Sequence, residues 1–345
     1  MKQKLMLAAA ALAALAGTAA AQGADLTGAG STFAQPIYAK WADAYAAKTG
    51  VKINYASIGS GGGIHQLSEM TVDFGATDGP MTDEQLAQAK GGPILHIPTV
   101  IGAVAISYNL PGLPLSEHLK FDGPTLADIY LGKITKWNDA RLAKLNPGVK
   151  LPDTDILVVH RSEGSGTTYI FTDYLSRVSP EWAKGPGKSI SVQWPVGVGG
   201  KGSEGVAGQI KQVEGAIGYV ELAYVTLNHL PYGLVKNADG TAFLAPSLEG
   251  ATNAAAGTAA KLPKTTDFRI SIVNAPGAKS YPISSFTWIV LYKNQPNAVK
   301  GKKLLDFLRW AMKDGEPMAA SLQYAPMPKN MQAMVLARLN EVKLK

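Results

Sequence analysis

Short apolar runs alternate with helix-type patterns along most of the chain. The runs predict strands at residues 25–27, 52–55, 72–76, 100–108, 156–160, 191–196, 216–220 and 286–292. The helix-type patterns predict helices at residues 34–48, 64–70, 126–131, 167–175, 205–212 and 304–312, with a further helix starting at Thr82. Strands that alternate with helices in this way are typical of an α/β fold with mainly parallel sheets.

Some segments allow a more specific prediction. The almost continuous apolar run at 286–292 predicts a central strand, buried on both faces. The Gly-rich residues 60–63 are expected to form a loop before the short helix that follows. Residues 237–258 are rich in Ala, Gly, Asn and Thr, and we predict that they are irregular. The helix at 304–312 is the last clear amphipathic one.

Four segments share one design, in which a strand leads through a turn rich in Gly or hydroxyl residues into a helix. They lie at 28–33 (GAGSTF), 58–63 (IGSGGG), 76–80 (ATDGP) and 161–167 (RSEGSGT). Helix N-termini offer unpaired backbone N–H groups with partial positive charge, and Gly lets the backbone approach a ligand closely. An ordinary capped helix would explain any one of these turns. Together they predict an oxyanion site at the carboxyl ends of the strands.

Side chains in these turns would add further donors to the site. Thr32, Ser60, Ser165 and Thr167 contribute hydroxyls, and Arg161 contributes a guanidinium that can bind two oxygens at once. Together with the helix N-termini, these side chains favour an oxyanion as the ligand.

Composition excludes several classes of function. The chain has 345 residues and no Cys, so it has no disulfide, no thiolate metal ligand and no Cys nucleophile. The five His residues are scattered without the spacing of a metal site. The formal net charge of +7 suits an anionic partner. No dense basic run with interleaved aromatic residues is present, so we do not expect nucleic acid as a partner.

The first residues resemble a secretory signal. Lys2 and Lys4 precede an apolar run at 5–15, and Ala19 and Ala21 give the small-x-small pattern of a cleavage site. We therefore expect residues 1–21 to be a signal peptide and the mature protein to be periplasmic. The remaining 324 residues (345 − 21) have the length of about two domains.

Six segments together resemble one protein family. They lie at 27–33 (TGAGSTF), 72–78 (VDFGATD), 129–134 (IYLGKI), 164–167 (GSGT), 194–202 (WPVGVGGKG) and 216–221 (AIGYVE). Their sequence and order are similar to those of the periplasmic phosphate-binding proteins of the high-affinity phosphate ABC transporter. The resemblance covers nearly the whole mature chain and is poorest at 237–266.

The resemblance implies an α/β fold of the two-lobed type II binding-protein class, with phosphate between the lobes. Lobe 1 would comprise residues 22–100 and 282–345, and lobe 2 residues 101–281. The protein would be a monomer that binds inorganic phosphate without a cofactor or catalysis, and delivers it to the inner-membrane permease of an ABC transporter. By their positions in the chain, the residues that match the family's phosphate-binding residues are Thr32, Phe33, Ser60, Asp78, Arg161, Ser165, Gly166 and Thr167.

The resemblance implies that Asp78 would accept the proton that phosphate still carries at neutral pH. Sulfate has no such proton, so a carboxylate would discriminate against it. Asp78 could instead cap the turn that follows it. The family commonly has Asp two residues after the ligating Arg and Arg before it, whereas this chain has Glu163 and His160. Glu163 is expected to support Arg161 from outside the ligand.

Three other functions remain open from the residues alone. A phosphate-ester hydrolase could use the same oxyanion donors, although no activated nucleophile or metal set is recognisable. A binder of sulfate or molybdate would conflict with Asp78. The G-x-G-x-x-G pattern at 197–202, with Glu221 following, resembles a dinucleotide site, but we interpret it as a Gly-rich turn near the cleft.

Overall fold

The computed structural model describes residues 25–260, 262–263 and 265–345. The predicted signal peptide at 1–21 lies outside these residues. The strands are β1 (Leu26–Gly30), β2 (Ile53–Ser57), β3 (Phe74–Thr77), β4 (Ile94–Tyr108), β5 (Lys120–Phe121), β6 (Leu157–Arg161), β7 (Val198–Gly200), β8 (Ala216–Glu221), β9 (Leu234–Lys236), β10 (Phe243–Leu244), β11 (Ser284–Tyr292), β12 (Asn294–Gln295) and β13 (Lys343–Leu344).

Helices flank these strands along the whole described chain. They are α1 (Gln35–Thr49), α2 (Ser60–Ser68), α3 (Asp83–Ala87), α4 (Gly123–Tyr130), α5 (Ala140–Leu145), α6 (Gly166–Val178), α7 (Pro180–Lys184), α8 (Gly202–Gln212), α9 (Leu222–Asn228), α10 (Leu248–Ala259), α11 (Ala298–Trp310) and α12 (Lys329–Leu339). A π-helical turn (Ala311–Gly315) and two 3₁₀ turns (Glu316–Met318 and Ala320–Leu322) follow α11. Within the described part of the chain, no helix has both the length and the apolar character needed to cross a membrane.

One curled sheet of eight strands organises the molecule, in the order β2-β1-β3-β11-β4-β8-β6-β7. The outer strands on both sides pair in parallel, and the three pairings in the middle are antiparallel. The long strand β4 serves both halves of the sheet. Its residues up to Ala103 pair with β11, and those from Val104 onward pair with β8.

The centre of the sheet forms the core. All nine residues of β11 are buried, as predicted for a central strand with apolar residues on both faces. In β4, every residue after Ile94 is buried as well. Most of the other predicted strands and helices are present within a few residues of their expected bounds. The alternating strand-type and helix-type patterns of the sequence are therefore sufficient to predict most of the strands and helices.

The expected loop at 60–63 is instead the first turn of α2. The helix packs directly on β1 at Gly63, where an added Cβ would lie 2.5 Å from the carbonyl oxygen of Ala29 and from Gly30 Cα. Gly is required here because two backbones approach each other so closely. A Gly-rich run therefore marked close packing rather than irregular structure.

The expectation that residues 237–258 are irregular was wrong. This stretch contains β10 and most of α10, whose start is capped by Ser247, with its Oγ accepting from Gly250 N at 3.0 Å. Ala251, Ala254 and Ala255 are buried on the side of the helix that contacts β4 and β11. Ala is the best helix former, but small side chains give little amphipathic contrast, so the pattern was missed.

Two further predictions need correction. Residues 191–196 form no strand in the described structure, and the strand that pairs with β6 is β7, which begins at Val198. Gly197 has a φ of 107°, which reorients the chain immediately before β7. The helix at 304–312 is not the last one, because α12 follows it with Met331, Val335 and Leu339 buried at four-residue spacing.

Candidate oxyanion-binding site

Three of the four predicted turns meet at one side chain, Ser60. Its Oγ accepts hydrogen bonds from Gly166 N at 3.0 Å and from Asp78 N at 3.2 Å. Beside it, Gly61 N donates to the carbonyl oxygen of Gly164 at 2.8 Å. The starts of α2 and α6 and the end of β3 therefore lie together at the carboxyl ends of their strands.

The fourth turn joins this group through Thr32. Its Oγ1 lies 2.9 Å from the Oγ of Ser203, at the start of α8. The hydroxyl of Tyr224 donates to the carbonyl oxygen of Thr32 at 3.0 Å. Thr32, Ser60 and Ser203 are all buried. The helix starts that sequence reasoning selected thus surround one enclosed region.

Asp78 is a buried carboxyl held by hydroxyl groups. Its Oδ1 accepts from Ser31 Oγ at 2.5 Å and from Thr287 Oγ1 at 2.7 Å, and its Oδ2 from Ser60 Oγ at 3.3 Å. Burial raises the pKa of Asp78 to about 7, against the opposing effect of the Ser31 and Thr287 hydroxyls. Near neutral pH this carboxyl is therefore divided between its protonated and ionised forms.

Gly166 brings the start of α6 against this carboxyl. A Cβ added at Gly166 would lie 2.5 Å from Asp78 Oδ2, so no other residue fits without movement. The positive end of the α6 dipole thereby faces the same region as Asp78. Ser165 caps this helix, because its Oγ accepts from Thr168 N at 3.2 Å.

Arg161 ends β6, and its buried guanidinium makes four hydrogen bonds to neighbouring side chains. Its Nε donates to Glu163 Oε1 at 2.8 Å, and its Nη2 donates to the same oxygen. Its Nη1 donates to Thr167 Oγ1 at 3.3 Å and to Ser203 Oγ at 3.2 Å. Glu163 also accepts from Gly202 N at 3.2 Å. The longer side chain of Glu163 thus reaches the guanidinium and fixes its orientation.

Phe33, in the turn between β1 and α1, places its ring in the core. The carbonyl oxygen of Phe33 accepts from Tyr324 Oη at 2.5 Å, and its side chain is fully buried. An added Cβ at Gly102 would lie 2.2 Å from the Phe33 ring, so the ring packs directly on β4. This packing fixes the segment between β1 and α1.

Four residues in this cluster were not predicted as site residues: Ser31, Ser203, Glu221 and Thr287. Ser31 stands inside the GAGSTF segment and could have been found there. Thr287 belongs to the apolar run of β11 and reaches Asp78 only because β11 pairs with β3. Glu221, which stands in the segment 216–221 and also follows the G-x-G-x-x-G pattern, accepts from Thr167 Oγ1 at 2.5 Å. The G-x-G-x-x-G pattern instead forms β7 and the start of α8, against Glu163.

The cluster combines many hydrogen-bond donors with buried carboxyl groups, of which Asp78 is the one beside Ser60 and Gly166. Hydroxyls, helix N-termini and a guanidinium favour an oxyanion, and a carboxyl among them favours an anion that still carries a proton. Among the described residues, no group of three or more His, Asp or Glu side chains is arranged to hold a metal ion. The arrangement is chemically suited to a protonated tetrahedral oxyanion.

Comparison with known proteins finds a matching family, similar sequences and similar structures. A family model described as a PBP superfamily domain matches residues 16–314. The chain is 46% identical over 312 residues to the phosphate-binding protein PstS of Xylella fastidiosa, covering 90% of this chain and 84% of the relative. It is 44% identical to the phosphate-binding protein PstS of Pasteurella multocida, covering 92% of this chain and 90% of the relative.

Solved structures show the same fold. A phosphate-binding protein from Stenotrophomonas maltophilia superimposes with a TM-score of 0.71 at 21% identity, covering 92% of this chain and 94% of that one. The predicted fold class, an α/β binding-protein fold with helices flanking the sheet, is confirmed by this similarity.

Proposed function

Because the chain belongs to the family of phosphate-binding proteins named PstS, we propose that it binds inorganic phosphate, as hydrogen phosphate, and delivers it to the permease of an ABC importer. The observation that carries this proposal is the position of Asp78. It is a buried carboxyl placed among helix N-termini and hydroxyl donors, beside Ser60 and Gly166. A dianion with one remaining proton can satisfy both the donors and this acceptor.

The proposed ligand contacts are those of the eight residues carried over by position. The hydroxyls of Thr32, Ser60, Ser165 and Thr167 would donate to phosphate, together with the backbone N–H groups of Phe33, Gly166 and Thr167. Arg161 would supply the positive charge and Asp78 would accept the proton. Support comes from the hydrogen bonds that already link Ser60 to Gly166 and Arg161 to Thr167.

The proposed mechanism is closure of two lobes around phosphate, with lobe 1 at residues 22–100 and 282–345 and lobe 2 at 101–281. The change of partner along β4, between Ala103 and Val104, supports a boundary close to these limits. The closed form would then dock on the inner-membrane permease. We propose that the mature protein is a periplasmic monomer, released from the signal peptide at 1–21.

We further propose that the protein is not an enzyme. Its close relatives are named as binding proteins, and no finding supports the phosphate-ester hydrolase that the residues alone left open. In the described structure Ser165 Oγ is used as a helix cap, and no His contacts it. Incubation of the protein with p-nitrophenyl phosphate should therefore release no nitrophenol, even at protein concentrations at which phosphate binding is readily measured.

Calorimetry of the mature protein against phosphate and sulfate tests the proposal. The protein should first be stripped of carried-over ligand by reversible unfolding, and refolding should be checked by circular dichroism. We expect one phosphate per chain with micromolar or tighter affinity, about −8 kcal/mol or better. A refolded, ligand-free sample that gives no binding heat and no competition with labelled phosphate would contradict the proposal.

A further inference from the structure

Glu221 is a second buried carboxyl beside the site, and the binding mechanism above gives it no role. It ends β8, is 1% exposed, and contacts Thr167 through Oε1 at 2.5 Å. Its other oxygen, Oε2, is buried and has no hydrogen-bond partner among the described residues. An ionised carboxylate with one unsatisfied buried oxygen is costly, whereas the neutral acid carries no charge to solvate.

The protonation state of Glu221 determines whether the Thr167 hydroxyl can donate a hydrogen bond to a ligand. A hydroxyl has one hydrogen to donate, and Thr167 Oγ1 already accepts from Arg161 Nη1 at 3.3 Å. If Glu221 is ionised, it takes the hydroxyl hydrogen of Thr167, and none is left for an anion. If Glu221 is neutral, it can donate to Thr167 Oγ1, and the hydroxyl hydrogen is free to point at a ligand oxygen.

The charges around Glu221 favour its neutral form when a dianion is bound in the site. Glu163 already pairs with Arg161, the cation of the site, through two hydrogen bonds. The titratable and charged groups around Glu221 are Asp78, Arg161, Glu204, Tyr224 and Tyr324. Burial raises the pKa of Glu221, and Arg161 opposes this rise. A bound phosphate would add negative charge and raise it further.

We propose that Glu221 is a positioning residue that is protonated in the phosphate complex and donates to Thr167 Oγ1, which frees the Thr167 hydroxyl hydrogen for a phosphate oxygen. This inference rests on the proposed function and deepens it. The proton comes from solvent. Binding at alkaline pH therefore takes up a proton at Glu221, separately from the proton of phosphate that Asp78 accepts.

The test compares phosphate binding by the wild type and E221Q from neutral to alkaline pH. The amide N–H of Gln can donate to Thr167 Oγ1 at every pH, so E221Q should bind without this proton. Wild-type affinity should fall more steeply than that of E221Q as pH rises, by up to about tenfold more per pH unit. Calorimetry in buffers of different ionisation enthalpy should count up to about one more proton taken up by the wild type.

Two matched variants locate the effect. E316Q removes another buried Glu, whose carboxyl accepts from Met327 N, and should keep the wild-type pH profile of phosphate binding. T167V removes the hydroxyl, should weaken binding about tenfold, and should make the E221Q change ineffective when the two are combined. Independence of the two changes would overturn the proposal, because the role of Glu221 would then not act through Thr167.

Equal proton uptake and parallel pH profiles in wild type and E221Q would also overturn it. If E221Q does not fold, the test instead uses infrared difference spectra of the wild-type protein with ¹³C-labelled Glu. Phosphate should then produce a neutral-carboxyl band that shifts with the label, and no such band would contradict the proposal. A wild type that binds no phosphate refutes the proposed function itself, whereas binding without Glu221-dependent protonation refutes only this inference.

Discussion

Asp78 shows how one residue can set selectivity between two anions of the same shape. Its Oδ2 faces Ser60 and the start of α6, where the donors for an oxyanion also lie. Hydrogen phosphate can give this oxygen a hydrogen bond, but sulfate at neutral pH can only repel it. A site built to receive a hydrogen bond can reject the ligand that lacks the donor by about 10⁴–10⁵.

We predict that D78N reduces the preference for phosphate over sulfate. The amide oxygen of Asn still accepts the proton of phosphate, while its N–H group can face a sulfate oxygen, and the charge repulsion is gone. Competitive titration of both proteins with both anions at fixed pH and salt measures the ratio. Wild type should show no competition by millimolar sulfate. An unchanged ratio in D78N would mean that Asp78 does not receive the ligand proton.

No other residue should fully replace Arg161, because all three of its guanidinium nitrogens make hydrogen bonds. The Nε and Nη2 groups bind Glu163, while Nη1 reaches Thr167 and Ser203. R161A should weaken phosphate binding by about 2–5 kcal/mol, and R161K should recover only part of that loss. R177K is the matched control, since Arg177 pairs with Asp173 at the far end of α6. Full affinity in R161K would contradict the fork geometry.

The sequence predicted the members of this cluster that lie in local turns but not those brought in by distant segments. Thr32, Ser60 and Thr167 stand in Gly-rich turns whose chemistry is visible in a few consecutive residues. Glu221 and Thr287 reach the cluster only through strand pairing, Glu221 opposite Val104 and Thr287 beside β3. Register between strands far apart in sequence is set by the packed sheet, and no local pattern reports it.

Elements were predictable where apolar residues contrast with polar ones. The buried run of β11 and the helix α1, with Trp41 on its inner face, gave clear patterns. The helix α10 did not, because its buried face consists largely of Ala and resembles a flexible, low-contrast segment. Burial of α10 against β4 and β11 is a tertiary effect, and it decides the structure there.

The π-helical turn after α11 places an acidic side chain in the interior. Trp41 packs on Gly315 and donates from Nε1 to its carbonyl oxygen at 2.8 Å. The next residue, Glu316, is 4% exposed, and its Oε2 accepts from Met327 N at 3.2 Å. Burial raises the pKa of Glu316 to about 8.

This pKa predicts how stability depends on pH. Between the ordinary Glu value of about 4.5 and about 8, the folded protein keeps a proton that the unfolded chain has lost. The stabilisation is therefore fully present below the lower value and is lost as pH rises through the upper one. Asp78 contributes in the same direction up to about pH 7. Wild-type stability should fall as pH rises across this range.

We predict that E316Q removes most of the Glu316 contribution to this slope, on the order of 3 kcal/mol. Gln stays neutral at every pH, so the variant should lose less stability between pH 5 and 9 than the wild type. Urea unfolding of both phosphate-free proteins across this range measures the difference. Parallel pH profiles would show that Glu316 is ionised in the folded protein or becomes solvated.

At the scale of the whole molecule, the two halves of the sheet are joined by few covalent crossings. The strand β4 passes from one half to the other between Ala103 and Val104, and Val104 N is bonded to the carbonyl oxygen of Ile283 at 2.8 Å. Around the site, the halves touch through hydrogen bonds such as that from Gly61 N to Gly164. A rotation at the crossings would break these contacts and leave each half intact.

We therefore predict that phosphate closes the molecule by a hinge movement near residues 98–103 and 280–284. In the proposed mechanism, donors from both halves would engage the ligand only in the closed form, so phosphate would stabilise that form by its differential affinity. Small-angle scattering of ligand-free and phosphate-saturated mature protein should show a smaller radius of gyration with phosphate. An unchanged radius, with binding confirmed in the same samples, would indicate a rigid preformed site.

A disulfide across the two halves gives an independent measure of the same movement. The chain has no Cys of its own, so the double variant Gly61→Cys with Gly164→Cys has one thiol pair. A Cβ added at Gly61 would lie 3.1 Å from Gly164 Cα, so the two Cys side chains can reach each other once these segments shift apart by a few tenths of an ångström. Phosphate should accelerate oxidation of this pair, and the single variant Gly164→Cys should form no intramolecular bond. Equal oxidation rates with and without phosphate, in a variant that still binds it, would contradict closure because the thiols would then be equally close in both states.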